Sequence, residues 1–373
     1  MVQDYPILRL RYSGNKLECE LTDPISMQIV GIEYKFTKKM MATINKHYEE
    51  ILRMTGGKEQ PSVLEFKKEL NKLGNEIGKV LKYVLKNLAF EIKKNSPLAL
   101  ALDDETVKIP WELGLLPGSL TGKGKRLFFC DIACVGRLRV VKAESWRPTP
   151  SGRSSYKRAL VIGINYKDSK HRISRLEHAE EEAEKVKSIL EDNDIHVTLL
   201  IGKQARLKSV MNELKKGVDI LHFTGHGSTS RNKSKIYLYD NVLWAKDLEN
   251  LPAKSAAPSL SFFNACETAV DIEKRGKIYW APFSWAFALA NQGGSTFIGT
   301  MWSVFEEDAL IFAETFYKKF LGNKKKARKK TLAEAMRQAR NIIKRRTDGI
   351  FSWPAYVLYG PPTLKADDLF GKS

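Results

Sequence analysis

Two short phrases hold side chains that together could do nucleophilic chemistry. HFTGHG, His222 to Gly227, and NACET, Asn264 to Thr268, each close an apolar run, and His226 and Cys266 stand 40 residues apart. An imidazole that takes the proton of a thiol leaves a thiolate able to attack a carbonyl carbon. His226 would be that base and Cys266 that nucleophile. Gly225 and Gly227 lack Cβ, which allows a sharp turn and close approach of a substrate backbone. The N–H groups of Gly227 and Cys266 are then the geometric candidates for an oxyanion hole.

The remaining histidines and cysteines read more simply. His47, His171, His178 and His196 lie in charged surroundings and read as surface groups. His222 sits inside the apolar run; it and Asp240 are candidates for orienting His226, a task a backbone carbonyl could equally perform. Cys19, Cys130 and Cys134 read as buried small hydrophobes. No Cys/His spacing suits zinc and RALVIGINY lacks the phosphate-loop grammar, so neither a metal nor another cofactor is expected.

The elements that must carry these residues alternate between apolar strands and helical patterns. Strands are expected at 158–164, 196–200, 217–224, 258–264, 295–300 and 355–359, with helices at 176–190, 207–214, 279–290, 307–321 and 331–343. This is the grammar of a mostly parallel sheet covered on both faces, where chemistry collects at the carboxyl ends of strands. Both phrases fall at such ends. Upstream, PILRLRY, KLECEL and MQIVGIEYKF suggest a small meander, and the apolar repeat of 61–94 a long helix, whole or broken near Gly74. ESWRPTPSGRSSYKR, around residues 147–156, is the best linker, and the expected division is 1–95, 96–150 and 151–373.

The resemblance lies in a set of phrases in one order: IPWELG at 109–114, RALVIGINY at 158–166, LHFTGHG at 221–227, SFFNACETA at 261–269, GGSTFIGTMWSVFEEDA at 293–309, FYKKFLG at 316–322 with LAEAMRQAR at 332–340, and PAYVLYGPP at 354–362. Together they resemble the CHAT-domain family, a separase-related branch of the caspase-like cysteine peptidases, over roughly residues 98–362. The resemblance implies a caspase-like α/β/α sandwich preceded by a strand-rich and helical amino-terminal region. It implies cysteine endopeptidase activity on a protein substrate, with the family's histidine at His226 and its nucleophile at Cys266. It also suggests a substrate pocket from Trp302, Phe305, Glu306, Glu307 and Asp308, aromatic-walled with an acidic floor suited to Lys or Arg. Two positions depart from the pattern. Asn264 stands where Ser commonly precedes the Ala-Cys pair, and Glu267–Thr268–Ala269 replace a glycine-rich turn. The competing reading is a catalytically weak or inactive interaction module.

The 62 Lys and Arg against 43 Asp and Glu give a net charge of +19. From Lys318 to Arg346 thirteen basic residues face one acid, whereas from His226 to Tyr317 ten acids face eight basic residues. The surplus is therefore local, centred on Lys324, Lys325, Lys326, Arg328, Lys329 and Lys330. Such a surface can contact nucleic-acid phosphates, dock an acidic protein or serve solubility. An unguarded protease invites regulation, so a regulatory protein partner is expected. No signal peptide opens the chain, and Ile278–Phe305 is broken by Pro282 and the NQGG turn; these features fit a cytoplasmic protein without a membrane span.

Overall fold

The structure is a computed structural model; it describes residues 4–24, 28–57, 61–122, 124–139, 157–171, 173–230, 233–251, 257–267, 281–291, 296–322 and 329–370. The chain forms two compact units, residues 1–142 with 360–363, and residues 143–359 with 364–373. The expected linker, 147–156, lies outside the described residues.

In the first unit, β1 (Ile7–Ser13), β2 (Lys16–Asp23) and β3 (Gln28–Lys35) form the expected antiparallel meander. Two helices come next, α1 (Lys38–Gly56) and α2 (Val63–Asn87), then β4 (Pro97–Leu102). A short pair, β5 (Leu115–Leu116) and β6 (Leu127–Phe128), encloses α3 (Gly118–Thr121), and α4 (Phe129–Ile132) leads into β7 (Cys134–Arg139). The sheet of this unit runs β7-β4-β1-β2-β3, with β4 parallel to both neighbours.

Helix α2 begins at a capping box, Ser62 bonding the Glu65 N–H while the Glu65 carboxylate accepts from Ser62. It continues unbroken through Gly74. The glycines there serve packing: a Cβ on Gly78 would lie 2.3 Å from the Leu115 carbonyl oxygen, and one on Gly74 2.8 Å from that of Leu113. The IPWELG phrase forms a tight turn whose Glu112 pairs with the fully buried Arg137, at 2.7 and 2.6 Å. The same guanidinium donates to the carbonyls of Val107 and Ile109, so the buried charge is fully engaged.

The second unit carries the alternating pattern: β8 (Arg158–Gly163), α5 (Ala179–Glu191), β9 (His196–Ile201), α6 (Leu207–Lys216) and β10 (Ile220–Ser230). After β11 (Lys233–Tyr237) and β12 (Val242–Trp244) come β13 (Leu260–Glu267), α7 (Ala281–Asn291), β14 (Thr296–Thr300), α8 (Glu306–Leu321), α9 (Leu332–Ile343), β15 (Tyr356–Tyr359) and α10 (Ala366–Phe370). The order β9-β8-β10-β13-β14 is parallel throughout, and β15 closes it antiparallel. Among the described residues no helix is long and apolar enough to cross a membrane.

One departure from expectation bears on the site. The strand carrying His226 does not end at Thr224. It runs on to Ser230 because β13 continues to pair with it through Gly227, and β11 takes up its far end antiparallel. Gly225 and Gly227 therefore lie in extended strand, where no sharp turn occurs.

Candidate active site

The register of β10 against β13 pairs His222 with Phe262, Thr224 with Asn264, and His226 with Cys266. Alternation along parallel neighbours puts these positions on one face of the sheet. Positions 226 and 266 are thus direct neighbours.

The imidazole of His226 is 4% exposed and held from two sides. Its Nε2 lies 2.8 Å from the carbonyl oxygen of Ser174, and its main-chain N–H donates to the Tyr166 hydroxyl at 2.8 Å. A carbonyl only accepts, so the bond assigns the neutral ring's proton to Nε2. Among the described residues the buried Nδ1 meets no hydrogen-bond partner, and in this tautomer it keeps its lone pair. Burial lowers the His226 pKa below its ordinary 6.5, against the smaller opposing pull of the Ser174 bond and the Glu306 charge. The ring therefore stays neutral to a lower pH than in water, with Nδ1 as its accepting atom.

Below this pair lies a polar network. Glu182, 2% exposed on α5, meets His222 Nε2 at 3.0 Å, accepts from Thr224 at 3.2 Å and from the Asn264 amide at 2.6 Å. That amide also donates to the Ala309 carbonyl at 3.1 Å, and the Asn264 Oδ1 accepts from Tyr356 at 3.0 Å. His222 is completed by Tyr317, 3.3 Å from its Nδ1. Of the two residues expected to orient His226, then, His222 faces Glu182 and Tyr317 in the layer below. Asp240 accepts from the Leu207 N–H at 2.9 Å, where α6 begins. The Ser174 carbonyl takes the place beside the imidazole.

The expected pocket residues divide. Trp302 is 1% exposed and donates to the Phe351 carbonyl at 2.8 Å, so it packs among the buried residues. Phe305 packs edge-on against Phe351. Glu307 and Asp308 both pair with Arg346, and Asp308 is 3% exposed, its pKa raised chiefly by burial. Glu306 accepts the His178 N–H at 2.9 Å. Gly227 stands in register with Ile236 on β11 and Glu267 on β13. Of the basic segment, Lys324, Lys325, Lys326 and Arg328 lie outside the described residues; Lys329 pairs with Asp367 at 2.6 Å, and the Lys330 N–H bonds the Lys319 carbonyl.

Tyr166, Ser174, Glu182 and Arg346 carry much of this geometry and were not singled out by sequence reasoning. Only Glu182 left a signal, standing among Ala179, Ala183, Val186 and Leu190 on the buried stripe of α5. Among the described residues no cluster of His, Cys, Asp and Glu is arranged to hold a metal ion.

Comparison with known proteins places this geometry in a family. Similar solved structures include Saccharomyces cerevisiae separase in its complex with securin, with a TM-score of 0.57 at 11% identity over 96% of this chain and 30% of that one. The chain thus spans less than a third of the separase it matches. The Porphyromonas gingivalis complex of RgpB pro- and mature domains matches with a TM-score of 0.55 at 13% identity, over 88% of this chain and 78% of that one. The Arg-specific cysteine proteinase gingipain R gives 0.51 at 11% identity, over 88% and 76%. At such identities the likeness is one of fold, a caspase-like α/β arrangement with a mostly parallel sheet. No curated protein matches the chain. The profile of the CHAT domain matches residues 69–361, well over half of the sequence, and the chain belongs to the CHAT-domain family.

Proposed function

We propose that this protein is a cysteine endopeptidase that cuts a protein substrate through Cys266 and His226. The observation that carries the reading is a neutral, backbone-held His226, its Nδ1 unpartnered among the described residues, at the register position beside Cys266. Nδ1 takes the thiol proton and the thiolate adds to the scissile carbonyl carbon. The oxyanion so formed is assigned to the Gly227 and Cys266 N–H groups. Collapse expels the amine, which receives the proton from the imidazolium, and water then hydrolyses the thioester to release the acid and restore the thiol.

Of the three acids opening α8, Glu307 and Asp308 are matched by Arg346. Selection of a basic residue before the cut therefore falls to Glu306, and a positional scanning peptide library tests it: preference for Asp or an apolar residue there removes that assignment. Separase and RgpB were solved with securin and a pro-domain. A protein partner that governs access to the cleft is assigned here by analogy, in a reducing, cytoplasmic setting that keeps a thiolate usable.

The deciding experiment is labelling with a thiol-reactive peptide analogue. Cys266 should be modified in the wild type, and Cys266→Ala and His226→Ala should each abolish peptide cleavage while unfolding as the wild type does. Absence of labelling, with partner association retained in both variants, would instead mark an interaction module, the reading favoured by Asn264 and Glu267 standing where the family commonly has other residues.

A further inference from the structure

The loop after β8 does more than connect. Strand β8 leaves the side of β10 after Gly163, its last bond running from the Ile164 N–H to the Thr224 carbonyl at 3.2 Å. Two residues on, the His226 N–H points to that same side and has lost its strand partner. Tyr166 fills the gap. Its hydroxyl accepts the His226 N–H at 2.8 Å and donates to the Tyr237 carbonyl on β11 at 2.6 Å. Its ring lies against the imidazole, centroids 4.9 Å apart.

Two further features accompany this contact. Tyr166 has φ +62°, a left-handed conformation that a bulky residue adopts at a cost. Gly225 leaves space that the hydroxyl and the Phe223 ring share, for a Cβ there would stand 2.6 Å from that oxygen and 2.7 Å from the ring. Burial raises the Tyr166 pKa far above the ordinary phenol value, so the hydroxyl keeps the proton it donates to Tyr237. The same loop supplies the Ser174 carbonyl and is fastened beyond it: His171 Nε2 lies 2.9 Å from the Leu238 carbonyl and 3.2 Å from that of Asn241.

We infer that Tyr166 is a positioning residue for His226, its hydroxyl standing in for the missing strand so that the imidazole is held between the Tyr166 ring and the Ser174 carbonyl with Nδ1 aimed at position 266. Tyr166 is buried, and its hydroxyl acts through the main chain. It fixes the main chain from which the base projects, where a displacement of about 1 Å can cost a hundredfold in rate.

The kinetic part of the test rests on the peptidase reading; the spectroscopic part does not. Nitrogen-15 spectra of the His226 ring, assigned by comparison with His226→Asn, should show a fixed Nε2–H tautomer in the wild type. Tyr166→Phe keeps the ring and deletes the hydroxyl. It should give averaged tautomers, and kcat on a peptide substrate roughly ten- to a hundredfold lower with KM within about twofold. Gly225→Ala retains every atom of Tyr166 but sets a methyl against its hydroxyl as well as the Phe223 ring, and should reproduce both effects if Tyr166→Phe does not fold. An unchanged ring spectrum in a folded Tyr166→Phe or Gly225→Ala protein overturns the inference, as does an unchanged kcat in an active one. A changed ring spectrum in a protein whose wild type never cleaves leaves the positioning role standing and removes the peptidase reading alone.

Discussion

At His226, desolvation and the nearby acceptors act in opposite directions, and desolvation is the larger. A depressed pKa keeps the imidazole neutral, and able to accept a proton, to a lower pH than in water. The acidic limb of kcat/KM for a peptide should therefore fall below 6.5, read from a pH–rate profile of the free enzyme. Stability carries the same mark. Between the folded value and the unfolded value the unfolded chain binds more protons, so stability rises with pH through that window, and His226→Asn should flatten the rise in denaturant midpoints. Cys19 is the contrast: burial pushes its thiol up to about 12, which leaves it inert as a nucleophile at neutral pH.

The elements were legible where apolar residues repeat and illegible where tertiary pairing decides. The strands and helices around His226 and Cys266 could be placed because apolar runs alternate with 3.6-residue periodicity. The continuation of β10 to Ser230 could not, because GHGSTS is polar and extended only by virtue of β13 and β11. Helix α1 went unread, although Ile44, Tyr48, Ile51 and Leu52 make a buried stripe behind the Thr37 cap. The carbonyl of Ser174 could never have been read, since a main-chain oxygen has no signature in side-chain types. Asn264→Ser removes an amide that bridges Glu182, Ala309 and Tyr356, and should cost about 1–3 kcal/mol by leaving buried groups unpaired, measured by chemical denaturation. Gly78→Ala drives a methyl into the Leu115 carbonyl and should cost about 1–3 kcal/mol, through overpacking of α2.

For the whole molecule, net charge is a poor guide to the chemistry. The stretch from His226 to Tyr317 has more acids than basic residues, while Lys318 to Arg346 carries most of the +19. Replacing Lys324, Lys325, Lys326 and Arg328 with Gln should leave cleavage of a short peptide unchanged and lower the salt concentration needed to elute the protein from a heparin column.

The floor beneath His226 and Cys266 has a consequence in time. Asn264 is secured by Glu182 from 82 residues before it, by Ala309 from 45 residues after it and by Tyr356 from 92 residues after it. A chain growing on the ribosome at about 5–20 residues per second has therefore synthesised His226 and Cys266 some 5–20 s before the last anchor of their strands is made. Until then the pairings that define the site are long-range and unsupported. The floor under His226 and Cys266 is therefore complete only once residue 356 has left the ribosome.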